Sequence, residues 1–324
     1  VVVAGFLPRA QEGLVDMSGP AQPLSFLGST HNLVVEFTPA GDAPWEEVDR
    51  ALRRAALRAA ARLAEAAIGS EPARTEDVPL LSSGPPGDLP RIGLITNLQT
   101  QGTFKDVFVY GSSFGNALPT LIEPTELEDG AVVSGQYGHP ALKNPTYIFQ
   151  NHPLVAALRE RDGSDLRFAG LVLSPEPVEQ GRKELVCSYA ARLCRSLGWD
   201  AVIVTKEGGG NADSDISLKM DALEDLGIAA VGLFAEMSGA DGTGPPVVSP
   251  PEKATAMVST GNYDERLTLP AVERALGGKR LEVADADADG ELEIPTAIVY
   301  GSLSPLGWGR LTASAPVGEE AVAA

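Results

Sequence analysis

The stretch DAVIVTKEGGGNADSD, Asp200 to Asp215, decides the fold. Its first half is a short apolar run rich in β-branched residues, which reads as a buried strand. Three glycines follow, and then Asn211, Asp213 and Asp215, residue types suited to open a helix. Working outward, the same rhythm repeats on both sides. LRFAGLVLS (166–174) reads as a strand and Gln180 to Leu197 as a helix. Asp213 to Leu226 continues as a helix, and IAAVGLFAE (228–236) is a strand. RIGLITNL (91–98) and KATAMVST (253–260) read as further strands, with Leu269 to Leu276 as a short helix. This alternation predicts an α/β fold, a mostly parallel sheet with Rossmann-like crossovers over about 91–278. In such sheets the ligand crevice lies beyond the carboxyl ends of the strands. Three loops qualify: TKEGGGNADSD (205–215), AEMSGADGTG (235–244) and STGNYDE (259–265).

A smaller α+β region precedes the sheet. VVVAGFL (1–7) and HNLVVEFT (31–38) read as strands. Residues 44–68 form the clearest helix, with Pro44 early, and with Leu52, Ala56, Leu63 and Ala67 set against Arg50, Arg53, Arg54, Arg58 and Arg62. Residues 70–90 are rich in Pro, Ser and Gly and make the best linker. The expected organisation is therefore 1–88, 89–278 and a C-terminal extension over 279–324 with a flexible end. Within the second part, VFVYG (107–111) reads as another strand. In the extension, DADADGELE (285–293) resembles the start of a calcium loop, but Thr296 stands where the bidentate glutamate belongs. A solvated acidic turn between strands is the better reading.

The net charge of −19 argues against nucleic acid or an anionic membrane as partner. No apolar run reaches the ~18–20 residues that span a bilayer. Cys187 and Cys194 lie seven apart, which on a helix puts them about 10 Å from each other, too far for a disulfide. Both read as small buried helix residues, and no Cys/His cluster with zinc spacing exists. Free thiols and no signal peptide point to the cytoplasm.

The glycines after 207 permit tight turns and close ligand approach. The helix start behind them favours an anionic group such as a carboxylate. Glu207 and Asp215 are suited to a cation or an ammonium. An ordinary strand–loop–helix turn with a capping Asn211 or Asp213 accounts for the same pattern equally well. Neither GxGxxG nor GxxxxGK[ST] is present, so no nucleotide is expected. Asp241, Gly242, Asn262 and Asp264 either line the crevice or are simply solvated. His31, His139 and His152 stand isolated, and each reads as structural, with His139 the best placed of the three for chemistry.

Several ordered stretches carry a family resemblance: QEGLVDMSG (11–19), NLQTQGTFKDVFVYG (97–111), LPTLIEPTELEDGAVVSG (118–135), KNPTY (143–147), EGGGNADSD (207–215) and LPAVERALGG (269–278). Together they resemble the precursor subunit of component B of the glycine/sarcosine/betaine reductases and, more distantly, D-proline reductase. Family members extend ahead of the position of Val1, so the N-terminus is expected to be truncated relative to the family. The resemblance implies a self-cleaving chain. A cysteine after Ser-Gly-Asn becomes a pyruvoyl group, whose ketone forms a Schiff base with the substrate amine. It also implies a partner subunit bearing cysteine or selenocysteine, whose thiol or selenol displaces that amine.

Here the corresponding residues are Ser134, Gly135, Gln136 and Tyr137. A phenol held across a rigid ring cannot reach the preceding carbonyl and offers no leaving group on Cβ. The second family cysteine is also absent, with Ala141 in its place. The expectation is an uncleaved chain with no pyruvoyl group and no other cofactor. Two readings follow. In one, the chain is an enzyme subunit of changed mechanism, with Tyr137 and His139 moving protons and Lys143 forming a Schiff base with a carbonyl. The residues expected to bind substrate are then Gln99, Thr100, Gln101, Ser134, Asn144, Glu207, Asn211, Asp213 and Asp241. In the other, it is a non-catalytic binding or scaffold subunit whose partner does the chemistry. A small-molecule binding protein without a partner is a more remote third reading, and a homo-oligomer is compatible with all of them.

Overall fold

The computed structural model describes residues 12–38, 41–75, 77–78, 80–81, 87–101, 107–134, 140–142, 144–254 and 256–304. The chain runs through α1 (Trp45–Glu65), β1 (Arg91–Leu98), β2 (Val107–Val109), β3 (Ser112–Ser113), β4 (Thr120–Ile122), α2 (Pro124–Glu128), β5 (Val132–Ser134), α3 (Thr146–Gln150) and α4 (Pro153–Arg161). It continues through β6 (Arg167–Pro175), α5 (Gln180–Ser196), β7 (Ala201–Thr205), α6 (Asn211–Glu224), β8 (Ala229–Glu236), β9 (Ala256–Asn262), β10 (Arg266–Leu269), β11 (Arg280–Leu281), β12 (Ala286–Asp287) and β13 (Leu292–Pro295).

The organising unit is a six-stranded sheet in the order β4-β6-β1-β7-β8-β9. Its five strands from β6 to β9 run parallel, and β4 closes one edge antiparallel to β6. This is the α/β fold that the alternation of apolar runs and helices predicts. Both faces of the central strands are covered, so their side chains fall into two cores. Leu94 and Leu98 of β1 join one core with Ile148, Phe149 and Leu158. Ile95, Val202 and Val204 join the other, with Ala190, Cys194, Ile216 and Met220 of α5 and α6. Trp199 closes the far end of the sheet. Gly93 and Gly170 are partners across β1 and β6. A Cβ on Gly93 would lie 1.9 Å from Trp199 Cε3, so the glycine leaves room for the indole.

β2 lies outside this sheet, pairing antiparallel with β3 and β5. The C-terminal strands form two hairpin-like pairs, β10 with β13 and β11 with β12. Their core contains Leu269, Leu281, Leu292, Ile294 and Val299, together with Ala21 near the other end of the chain. Leu14 and Val299 are bridged directly. The acidic stretch 285–293 runs through β12 and a turn over 288–291 into β13, with Asp285, Asp287, Asp289, Glu291 and Glu293 exposed and Leu292 buried, an acidic turn between strands as its sequence suggests.

Two expectations are corrected. HNLVVEFT (31–38) forms no strand: its Leu33, Val34, Val35 and Phe37 are exposed and no ladder pairs them. Leu269 to Leu276 is not a helix. Leu269 ends β10 opposite Leu292, and Val272 donates its N–H to Asp289 O at 2.9 Å instead of closing a helical turn. The expected strand VVVAGFL and most of the glycine/proline linker core at 82–86 lie outside the described residues. Among the described residues no helix is long and apolar enough to cross a membrane.

Candidate functional site

β6, β1 and β7 end side by side at the edge where the sequence places a crevice. β1 runs out at Leu98 into Gln99, Thr100 and Gln101, β6 into Glu176, and β7 into Lys206 and Glu207. Residues past the strand ends lose their ladder partners, and here they bond to one another instead. Gln99 donates its backbone N–H to Glu207 Oε2 at 2.8 Å. Thr100 Oγ1 donates to the Glu176 carbonyl at 3.0 Å, and Glu207 donates its N–H to Glu176 Oε1 at 3.3 Å. Asn211 Nδ2 donates to Gln101 Oε1. The two sequence stretches 99–101 and 207–211 are thus stitched together, with Glu176 beneath them.

The glycines between β7 and α6 have a physical reason. Gly208 and Gly210 both sit at φ 70°, a region that strains residues with a Cβ. A Cβ on Gly208 would come within 2.8 Å of the Gln99 side chain, and one on Gly209 within 2.5 Å of Met237 Sδ. Gly209 also faces Leu142, which packs with Ala141, Ala235 and Leu303. Pro140 and Ala141 accept the N–H groups of Gly301 and Leu303 at 3.0 and 3.1 Å. One flank of the segment 135–139 is therefore fixed at the carboxyl end of β8. The other ends in β5 at Ser134, whose N–H donates to Thr146 Oγ1 at 3.2 Å.

Below this seam lies a layer of buried charge between the sheet and helices α5 and α6. Lys183 pairs with Asp215 and also donates to the Asn211 carbonyl at 3.2 Å. Lys206 pairs with Asp213, whose other oxygen accepts the Val248 N–H at 2.8 Å. Lys206 Nζ also stands 5.9 Å from the centre of the Phe234 ring. Glu176, Lys183, Lys206, Glu207, Asp213, Asp215 and Lys219 are all buried to within 2% of complete. Isolated ions are costly in such a place, so mutual pairing is what makes the layer tolerable.

The pairing is incomplete. Glu176 Oε2, Asp215 Oδ1, Lys219 Nζ, Gln101 Nε2 and both amide atoms of Asn97 are buried without a hydrogen-bond partner among the described residues. Burial, with the nearby charges of Asp215 and Glu207, pushes the Glu176 carboxyl well above the usual carboxylate range. Burial raises Asp215 too, against the pull of Lys219 and Lys183. Cys187 and Cys194 sit on the buried face of α5, as expected, and burial pushes both thiols up, Cys194 to about 12.

Of the expected binding residues, Gln99, Thr100, Gln101, Glu207 and Asn211 come together at the seam. Asp213 is at the same place, but Lys206 and Val248 occupy its carboxylate. Asn144 is buried beside the C-terminal residues: its Oδ1 accepts from Ser304 Oγ at 2.6 Å, and its Nδ2 has no partner among the described residues. Asp241 is exposed and turns its carboxylate onto Thr243, 3.1 Å from the N–H and 2.9 Å from the hydroxyl. Those bonds hold it below the usual carboxylate range. Asn262 and Asp264 knit the neighbouring loops, to the Gly239 carbonyl at 2.7 Å and its N–H at 3.0 Å. Tyr137, His139 and Lys143 lie outside the described residues. His152 is buried against Thr96 at 3.2 Å, and burial lowers its pKa to about 3, while His31 is exposed.

Reading the sequence missed Asn97, Glu176, Lys183, Lys206 and Lys219. Two of them carried a signal. Lys183 shares a helical face with Val186, Cys187 and Ala190, and Lys219 with Ala212, Ile216 and Leu223. A lysine inside an apolar stripe needs a buried partner.

Comparison with known proteins agrees with the quoted stretches. The family described as glycine/sarcosine/betaine reductase component B subunits matches residues 1–314. The glycine reductase complex component B subunits alpha and beta of Acetoanaerobium sticklandii are 32% identical, over 97% of this chain and 76% of the relative. The sarcosine reductase complex component B subunit alpha of Peptoclostridium acidaminophilum is 29% identical over the same shares. The betaine reductase complex component B subunit alpha of that organism is 32% identical, over 82% of this chain and 62% of the relative. No solved structure matches.

Proposed function

The chain belongs to the glycine/sarcosine/betaine reductase component B family, and from that premise we propose that it is a reductase-complex subunit that keeps the substrate pocket and lacks the pyruvoyl group. Its substrate is a small amine- or carboxylate-bearing molecule, and the chemistry is reductive cleavage of a C–N or C–S type bond. A partner subunit supplies the thiol or selenol that attacks. The observation that carries this reading is the seam at the strand ends, where Gln99 and Gln101 bond to Glu207 and Asn211 over the carboxyl of Glu176. Two stretches that carry the family resemblance meet there, above buried polar atoms that lack partners among the described residues.

In this reading the pyruvoyl electron sink is replaced by this chain's own side chains. Tyr137 and His139 transfer protons, and Lys143 offers an amine to a carbonyl substrate. Gln99, Thr100, Gln101, Ser134, Asn144, Glu207 and Asn211 orient the small molecule. Asp213 acts indirectly, by holding Lys206 and the Val248 backbone in place.

The test is to purify the chain with its thiol- or selenol-bearing partner subunit, supply a dithiol reductant, and follow amine release from glycine, sarcosine and betaine. Release that needs both subunits and falls at least about tenfold in Tyr137→Phe or His139→Ala supports the enzyme reading, while Lys143→Ala is read on an aldehyde- or ketone-bearing substrate, the group its amine would condense with. A second reading, a non-catalytic scaffold subunit, is favoured by the internal pairing of Lys183 with Asp215 and Lys206 with Asp213. It prevails if all three variants leave the activity of the complex intact.

A further inference from the structure

The connection from β8 to β9 carries no helix among its described residues. Neighbouring parallel strands are usually joined by a helical crossover. Here the chain lies along α6 as a strap instead. Pro245, Pro246, Pro250 and Pro251 limit its backbone freedom. Helix α6 meets the strap with one row of side chains. Asp213, Ser217, Asp221 and Asp225, the last just past the helix end, stand four apart and therefore share one side. Asp213 Oδ2 accepts the Val248 N–H at 2.8 Å, and Ser217 Oγ donates to the Ser249 carbonyl at 2.5 Å. Asp221 accepts three backbone N–H groups, from Glu252 at 2.9 Å, Lys253 at 2.7 Å and Ala254 at 3.2 Å. Asp225 pairs with Lys253 Nζ at 2.5 Å, an exposed ion pair that contributes little. Three bonds to one charged acceptor make Asp221 the firmest attachment of the strap.

The strap also grips the loop between β7 and α6 at two places. Pro246 accepts the Met237 N–H at 3.3 Å, and Met237 Sδ lies against Gly209, where a Cβ would come within 2.5 Å of it. Two residues further on, Val248 holds one oxygen of Asp213 while Lys206 holds the other. Lys206 directly precedes Glu207, whose carboxylate accepts the Gln99 N–H at 2.8 Å. A continuous run of contacts thus leads from the strap into the seam. Asp221 stands eight residues beyond Asp213, about 12 Å along the helix axis.

We propose that Asp221 is a positioning residue for the seam: it fixes the strap on α6, and the strap sets the segment 207–213 through Val248 and Met237. The effect on a substrate rests on the proposed function above, whereas the mechanical link from Asp221 to the seam stands without it.

Hydrogen exchange of the full chain, read by mass spectrometry, tests the link with no substrate present. Asp221→Ala should speed exchange at least about tenfold in 248–254 and also in 207–213, while α4, on the opposite face of the sheet, keeps the wild-type rate. Asp221→Asn keeps an acceptor oxygen and should restore most of the protection in both segments. Ser217→Ala removes one bond from the middle of the row and suits a helix, so it should speed the same two segments about threefold even if Asp221→Ala folds poorly. Faster exchange confined to 248–254 would overturn the inference, since the strap would then be a local tie. A rise in α4 equal to that in 207–213 would overturn it too, as general loss of stability. In the complex with the partner subunit, Asp221→Ala should raise KM at least about threefold, with kcat within about twofold, for whichever of glycine, sarcosine and betaine is cleaved. Faster exchange in 207–213 with KM unchanged would uphold the link and remove the seam as the seat of the substrate.

Discussion

Glu176 accepts the backbone N–H of Glu207 through Oε1 at 3.3 Å, so the side chain that ends β6 holds the backbone that leaves β7, across the end of β1. Its other oxygen is buried without a partner among the described residues, and its carboxyl is raised well above the usual range. The folded protein therefore binds a proton that the unfolded chain releases. The stability tied to this group is full below the ordinary carboxyl value of 4.5 and is lost as pH rises toward the folded value. Glu176→Gln keeps the acceptor and removes the titration. Its melting temperature should exceed that of wild type at pH 8 and match it near pH 4. Asp215, raised in the same direction, leaves a residual slope. An equal loss of stability at both pH values would sink this account.

The Lys183–Asp215 pair joins the first turn of α5 to α6 in full burial. Removing one partner strands the other. Lys183→Met should cost about 3–5 kcal/mol in urea unfolding, and Lys183→Met/Asp215→Leu should recover a large part of that loss. A double variant no more stable than the single one would show that the pair is not the relevant unit, leaving Asp215 tied chiefly to Lys219.

His152 behaves with the opposite sign from Glu176. Burial against Thr96 lowers its pKa from 6.5 to about 3, so the folded protein keeps it neutral where the unfolded chain takes up a proton. The resulting stability is present above 6.5 and is lost as pH falls toward 3, by up to about 5 kcal/mol over the whole window. His152→Gln retains a hydrogen-bonding side chain for Thr96 and does not titrate. Its unfolding free energy should lose much of the acid slope that wild type shows between pH 6.5 and 4.

Tyr137 bears on covalent structure and not on stability. The phenol has no route to the preceding carbonyl and no leaving group on Cβ. Intact-mass and denaturing electrophoretic measurements should find one chain continuous through residues 134–138. A break before Tyr137 with a blocked new terminus would restore the pyruvoyl chemistry and remove the central premise of the proposed mechanism.

The sheet was legible in the sequence because β1, β6, β7 and β8 are buried on both faces, which forces continuous apolar runs. Helices α5 and α6 were legible for the same reason, from their stripes. HNLVVEFT misled because strand-forming residues become a strand only where a ladder partner exists, and Leu33 and Phe37 face solvent. Leu269 misled because its burial is satisfied by β13 across a hairpin, a partner distant in sequence. At the site, the loops 99–101 and 207–211 could be placed from strand ends alone. The ion pairs beneath them could not, since Lys183 and Asp215 meet only through the packing of two helices. Asp241, sited correctly on a strand-end loop, proved to cap its own turn on Thr243.

The bridge between Leu14 and Val299 carries a consequence for synthesis. Leu14 donates its N–H to the Ile298 carbonyl and accepts the Tyr300 N–H, and Ala21 lies in the core made by β10 and β13. On a ribosome the segment around Leu14 emerges before the sheet, and the strands that cover it emerge after the sheet. The parallel sheet can assemble in the interval, because β1 to β9 are complete before β10 appears. The apolar residues around Leu14 must wait exposed, tethered to a finished sheet, until the segment 292–300 has emerged to close over them. Nascent chains halted before residue 292 should therefore be open to protease near Leu14 while the sheet already resists it.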